Sequence, residues 1–196
     1  RALEINADYA PANNAMGLLL QSEREPEAAE EYFLKSINLN EDFSQGQYNY
    51  GMFLMQHQRY DEACEYLSNA ARDVEYQQRG KAAQNLGLCY YRNGEIELAI
   101  STYERALQGQ RYNTPILVNL TTLLIEVERH DDAEAYYARF LRIVERKQNQ
   151  HSSNSLSLGI KLARYFKDKT QEDKFAKLLE QDFPESEEYK LYKASL

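Results

Sequence analysis

Tryptophan is missing from this sequence altogether, and proline, glycine and cysteine are scarce, at four, eight and two among 196 residues. So few chain breakers exclude a fold of many short strands and tight turns, and nowhere does apolar and polar alternation persist as a half-buried strand requires. Leu, Ala, Glu and Tyr abound instead, so the chain reads as all-helical. No apolar run approaches the roughly 18 residues that a membrane span needs, and the opening Arg1-Ala2-Leu3-Glu4 resembles no signal peptide. No block of Lys or Arg offsets the formal charge of −8, which excludes phosphate backbones and hence nucleic acid as a partner. Cys64 and Cys89 have neither CxxC spacing nor neighbouring His. They read as buried structural thiols, with a disulfide between them left open. His57, His130 and His151 have no second ligand at metal spacing and read as exposed residues of turns and a polar loop. Phosphate-binding glycine loops, nucleophile elbows and Cys/His pairs are lacking too. The carboxylate pairs Glu30-Glu31 and Asp131-Asp132 fall where helices begin, a placement that the helix dipole explains. The expectation is a protein that is not an enzyme and takes no cofactor, metal or small-molecule substrate.

What the sequence does have is likeness to itself. Gly17, Gly51 and Gly87 are spaced by 34 and 36 residues, and Thr121 follows 34 later. Ala29, Ala63, Ala99 and Ala133 come 12 residues after each of these, and Phe33, Leu67, Tyr103 and Tyr137 four residues after each Ala. A large residue before Gly, then Ala-x3-aromatic, at this period is the helix-turn-helix pattern of the tetratricopeptide repeat (TPR). Small residues mark where two helices cross closely, and the large ones fill the adjacent hollow. Each unit alone exposes an apolar face, so neighbours must stack to bury it. The sequence therefore predicts an all-α TPR solenoid, a right-handed superhelix of antiparallel helix pairs. Units are placed at 10–43, 44–79, 80–113 and 114–147, with 1–9 the remnant of a preceding repeat. Residues 148–155 form a polar loop, and 156–196 a degenerate helix pair and C-terminal cap. The closing Pro of the pattern is replaced by Glu41, Glu75 and Arg111, and two extra residues lie between Arg72 and Arg79.

In such arrays the first helix of each unit lines a shared concave groove. The slots that face it hold Tyr48, Asn49, Met52 and Met55 in the second unit, and Lys81, Asn85, Leu88 and Tyr91 in the third. In the fourth they hold Asn119 and Thr122. Asn in register offers both donors and acceptors to the backbone of a bound segment. The apolar and Met side chains suit an amphipathic helix. Second-helix carboxylates such as Glu65 and Glu104 are expected to face away from this groove. A carboxylate clamp of the chaperone-adaptor type is broken, because Asn14, Leu18 and Asn85 occupy three of its positions.

Asn49-Tyr50-Gly51-Met52-Phe53-Leu54 with Arg59-Tyr60-Asp61-Glu62-Ala63, the inserted Asp73, Tyr76 and Arg79, and Leu158-Gly159-Ile160-Lys161-Leu162-Ala163-Arg164 carry a more specific likeness. Together they resemble the PilF/PilW family, the TPR pilotin lipoproteins of type IV pilus biogenesis. The resemblance implies a protein that helps the pilus secretin reach the outer membrane and form its multimer. It further implies a place on the periplasmic face of that membrane, reached only through an N-terminal lipid anchor that this stretch does not contain. The alternative is a generic TPR scaffold or chaperone adaptor holding another helical or extended peptide.

Overall fold

Every regular element among the described residues is an α-helix. The computed structural model describes residues 7–109, 113–146 and 149–196. The expected helix remnant over residues 2–6, and Arg111 and Gln148, lie outside them. In order the helices are α1 (Ala10–Ser22), α2 (Pro26–Leu39), α3 (Ser44–Gln56), α4 (Tyr60–Arg72), α5 (Arg79–Arg92) and α6 (Ile96–Gly109). They continue as α7 (Thr114–Glu126), α8 (His130–Glu145), α9 (Ser153–Tyr165), α10 (Lys169–Asp182) and α11 (Glu187–Ala194). The chain forms two compact units, residues 1–106 and 107–196.

The helices start and stop for local reasons. Proline occupies the first turns of α1, α2 and α7, where its missing N–H costs nothing. Asp61 and Glu62 in α4, and Asp131 and Asp132 in α8, place negative charge on helix N-termini. Arg24, Gln58, Gly94, Glu128 and Lys167 share one left-handed backbone conformation, with φ between 58° and 81°. Each is followed by the same closing bond, in which the next N–H reaches back to the fifth preceding carbonyl: Glu25 to Leu20, Arg59 to Leu54, Glu95 to Tyr90, Arg129 to Leu124 and Asp168 to Ala163. This double reversal satisfies the last carbonyls of one helix and turns the chain into the next.

In the first unit α1 packs on α2 and α3 on α4, while α4 also packs on α5. The crossings are as tight as the small residues predict. A Cβ at Gly17 would lie 2.8 Å from Phe33, one at Gly51 would lie 2.8 Å from Leu67, and one at Gly87 would enter the Tyr103 ring. Ala29, Ala63 and Ala99 are fully buried beside these crossings. Tyr50 Oη donates to Glu30 at 2.7 Å, and Arg59 bridges Glu30 to Glu62. The carboxylate of Glu30 therefore ties α2 and α3 to the start of α4; it lies beyond the first turn of α2, which holds Glu27 instead, so the helix-end placement expected for Glu30-Glu31 is corrected.

One expectation is corrected here. Cys64 of α4 and Cys89 of α5 are not thiols but a disulfide, with Cα atoms 5.6 Å apart. Both residues face the same inter-helix seam and are almost wholly buried. Their separation of 25 residues leaves room for one helical reversal between them.

In the second unit α7 packs on α8 and α9 on α10, with α11 laid against α9 and α10. Gly159 of α9 meets the Phe175 ring and the Tyr137 hydroxyl, the same small-against-aromatic crossing as in the first unit. Ser152 and Ser155 form a reciprocal capping box at the start of α9. Arg164 anchors α11, donating to Glu172 at 2.7 Å and to Ser195 at 2.9 Å while lying over the Tyr192 ring.

Candidate functional site

In the first unit α3 touches both α1 and α5, and their shared face carries the predicted groove residues of two repeats. Met52 and Met55 of α3 are half-buried and rest on the hydrophobic core. Leu88 and Tyr91 of α5 are half-buried as well, and Lys81 is exposed. Tyr48 is not a surface residue of this face but its floor, at 6% exposure. The cause is the inserted segment. Tyr76 stacks obliquely on Tyr48 with ring centroids 6.3 Å apart, Lys81 Nζ sits 5.9 Å from the ring, and Asn85 Nδ2 donates to Tyr48 Oη at 2.8 Å. Burial pushes the Tyr76 hydroxyl up to about 12, with the neighbouring Tyr48 adding to it, so the Tyr76 phenol remains a neutral hydrogen-bonding group.

The asparagines do not stand as a row of open amides. Asn49 Nδ2 donates to Asn14 Oδ1 at 3.1 Å, and Asn49 Oδ1 accepts from Gln45 Nε2 at 3.0 Å. Gln45 Oε1 in turn accepts from Tyr76 Oη and from Gln78 Nε2, each at 3.2 Å. The polar side chains therefore link α1, α3 and the insertion, holding the apolar residues at a fixed spacing. Gln45, Asn14 and Tyr76 are the residues that slot counting left unassigned. Gln45 shares its slot with Lys81, which was the available signal. Asn119 and Thr122 belong to α7 in the second unit, so the structure does not group them with the other eight. Asn119 is half-buried, and the Thr122 hydroxyl is spent on the Val118 carbonyl at 3.0 Å.

In the second unit His151 is not an exposed loop residue. Its ring sits edge-on to Phe140 at 5.6 Å and Phe175 at 6.1 Å, with Nδ1 3.1 Å from Ser155 Oγ. Burial holds its pKa below the ordinary 6.5, the Lys174 charge adds to this, and Asp182 opposes it. The fold thus favours the neutral ring. Its contribution is complete above the unfolded value of 6.5 and is lost as pH falls through the depressed folded value. A His151→Gln variant is expected to show a shallower fall of melting temperature than the parent below pH about 6.5. Parallel melting curves across pH would show that the ring is not held neutral.

Among the described residues no three His, Cys, Asp or Glu side chains are grouped to hold a metal. The groove offers shape, thioether and aromatic contacts, and a few fixed amides. Family models of the tetratricopeptide repeat match residues 10–43, 42–111 and 116–150. The type IV pilus assembly protein PilF of Pseudomonas aeruginosa is 29% identical over 194 residues, covering 99% of this chain and 75% of that protein. Its solved structure superposes with a TM-score of 0.84 over the whole of this chain and 86% of the other. The chain belongs to the tetratricopeptide-repeat family and is similar to PilF over almost its whole length. The solved structure of PilW, described as a widely conserved type IV pilus biogenesis factor, is 24% identical with a TM-score of 0.78, over 97% of this chain and 86% of that one. A further TPR structure, YrrB, described as having an unusual peptide-binding site, shares the fold at 18% identity and a TM-score of 0.77, over the whole of this chain and 96% of that one. As a PilF/PilW-like TPR protein the chain is a protein-binding module, and the α3–α5 face is its candidate contact surface.

Proposed function

We propose that this protein is a pilotin, which receives a segment of the type IV pilus secretin on the α1, α3 and α5 face of its first unit and assists its passage to the outer membrane and its multimerisation. The observation that carries the reading is the cluster of half-buried Met52, Met55, Leu88 and Tyr91 over the Tyr48 floor. A helix face left this apolar gains by accepting a complementary apolar face, at about 25 cal/mol per Å² before the costs of association. Methionines adapt to an irregular ligand surface, and the Asn14, Asn49 and Gln45 bonds keep the face from collapsing. The resemblance to PilF supports placement in the periplasm on a lipid anchor, and the buried Cys64–Cys89 bond supports an oxidising compartment. The repeat units are proposed as 10–43, 44–79, 80–113 and 114–147, with Asn119 and Thr122 as contacts of the second unit in their own right.

Leu88→Glu and Met52→Glu would each set a charge against the apolar ligand face. Each is expected to weaken binding of the purified secretin about tenfold or more, a loss of about 1.4 kcal/mol. Helix content should match the parent. Asn85→Ala differs, because it removes the donor to the buried Tyr48 hydroxyl and so lowers stability as well. Titration of labelled secretin with each variant decides the matter. If both Glu variants bind like the parent while a variant at the exposed Glu23 and Glu31 does not, the partner docks elsewhere.

A further inference from the structure

The charge of this protein is unevenly spread. Residues 1–106 hold nine Lys and Arg against 17 Asp and Glu, and residues 107–196 hold fourteen of each, so the formal charge of −8 resides wholly in the first stretch. Within that acidic unit the three helices of the candidate groove hold no carboxylate. α1 and α3 have no charged residue, and α5 has only Arg79, Lys81 and Arg92. All 17 acids fall on the second helices, in turns or ahead of α1. Burial does not explain this exclusion, because Ala15 and Leu18 of α1 and Gln56 of α3 are exposed.

Two of the three cations have a role in the fold. Arg79 donates to the Ala71 carbonyl near the end of α4 at 3.2 Å, and Arg92 stands in the last turn of α5, where the helix dipole favours positive charge. Lys81 has no such reason. It stands in the first turn of α5, where the dipole disfavours a cation, and it is exposed and has no carboxylate partner among the described residues. Its Nζ lies 5.9 Å from the centre of the Tyr48 ring, which directs the ammonium over the groove floor without neutralising it. Lys81, Asn85, Leu88 and Arg92 fall at i, i+4, i+7 and i+11 and so form one stripe of α5. The two cations bracket Leu88, about 16 Å apart along a straight helix. Leu88 shares its repeat slot with Leu18 and Met52, so an apolar row crosses the three helices with a cation on either side of its α5 end.

We infer that the groove selects an acidic amphipathic helix of its protein partner, whose apolar residues lie on Leu18, Met52 and Leu88 and whose carboxylates, about three turns apart, meet Lys81 and Arg92. The inference rests on the reading of this face as the contact surface and adds to it the charge of the segment received. A basic segment would be drawn to the acidic exterior, yet within the groove it would meet Lys81 and Arg92 and no carboxylate. An acidic one escapes like-charge repulsion there and relieves Lys81. With Asn14, Leu18 and Asn85 at three positions of the terminal-carboxylate clamp, the groove lacks the several cations that a chain terminus needs, so the acids are side chains. Exposed pairs of this kind contribute little affinity, and their effect is discrimination.

The test uses the whole chain and three fluorescein-labelled amphipathic peptides, read by fluorescence anisotropy. They share one leucine-rich helical face and carry glutamate, glutamine or lysine at two positions three turns apart. The parent is expected to bind the glutamate peptide about fivefold tighter than the glutamine one, and the lysine peptide most weakly, against the sign of its own net charge. Lys81→Glu with Arg92→Glu is expected to reverse that order. Lys35→Glu with Arg105→Glu, the same change of net charge on α2 and α6, is expected to preserve it, with each affinity within about twofold. Equal binding of the three peptides by the parent, all weakened by Leu88→Glu, would leave the groove as the contact surface and overturn the charge selection. Binding of the glutamine peptide that Leu88→Glu leaves unchanged would overturn the groove reading and this inference with it. A lysine peptide bound tightest by the parent, or an order reversed by the control pair as well, would mean that net charge alone governs and would overturn the inference.

Discussion

A Cys64→Ala, Cys89→Ala double variant is expected to unfold in urea with about 3 kcal/mol less stability than the oxidised parent, by the loop-entropy account of a closure of this size. The bond joins α4 to α5 and closes a loop between residues 25 apart. In a repeat array each pair is held only by its neighbours, so the seam between successive pairs is where cooperativity can fail. Here that seam is covalent, and the unfolded chain is denied the freedom to separate the two helices. Alanine keeps the site apolar, as the almost complete burial of both residues demands. Parent protein treated with dithiothreitol should shift to the same midpoint as the variant. A midpoint that moves in neither case would mean that the seam is held without the bond.

Tyr137→Ala should cost the second unit about 3–5 kcal/mol, the range for removing a large buried aromatic. Tyr137 is 4% exposed, and its ring stacks with Phe140 at 5.8 Å and meets Phe175 edge-on at 5.9 Å. Its hydroxyl reaches over Gly159 to donate to the Ser155 carbonyl at 2.8 Å. Burial pushes that hydroxyl well above the ordinary 10, so it keeps its proton and remains a donor. Tyr137→Phe keeps the ring and removes only the bond, and should cost about 1 kcal/mol because the Ser155 carbonyl, already within helix α9, loses its second donor. The pair separates packing from polarity in one urea series. An Ala variant no less stable than the Phe variant would show that the ring does not organise this crossing.

Most of the fold was legible because close crossings permit few residues. The Gly and Ala columns recur since a Cβ at Gly17, Gly51 or Gly87 would strike the aromatic or Leu opposite. The turns were half legible. Gly94 announces its left-handed conformation, but Arg24, Gln58, Glu128 and Lys167 adopt the same one without being glycine. Their preference is imposed by the closing bond of the turn, which no side chain reveals. The groove was legible as a set of helix faces and not as a surface. Tyr48 occupies an outward slot, yet the inserted Tyr76 covers it, and the effect of an insertion cannot be read from the period that it interrupts. The disulfide was hidden for a related reason, since a spacing of 25 acquires meaning only once α4 and α5 are neighbours. Glu65 was expected merely to face away from the groove. It lies in the wall of a cavity completed by the turn before α3.

The covalent seam also sets how far the protein can be stretched. Were the chain drawn out from its two ends, every helical hairpin could be pulled straight except the one that the Cys64–Cys89 bond spans. The 25 residues of that loop, roughly 80–90 Å of extended contour, would stay out of the line of force. Under tension the α4–α5 hairpin would behave as a short inextensible link, and the half-buried Leu88, which lies inside the loop, would sit on the part of the chain that yields least.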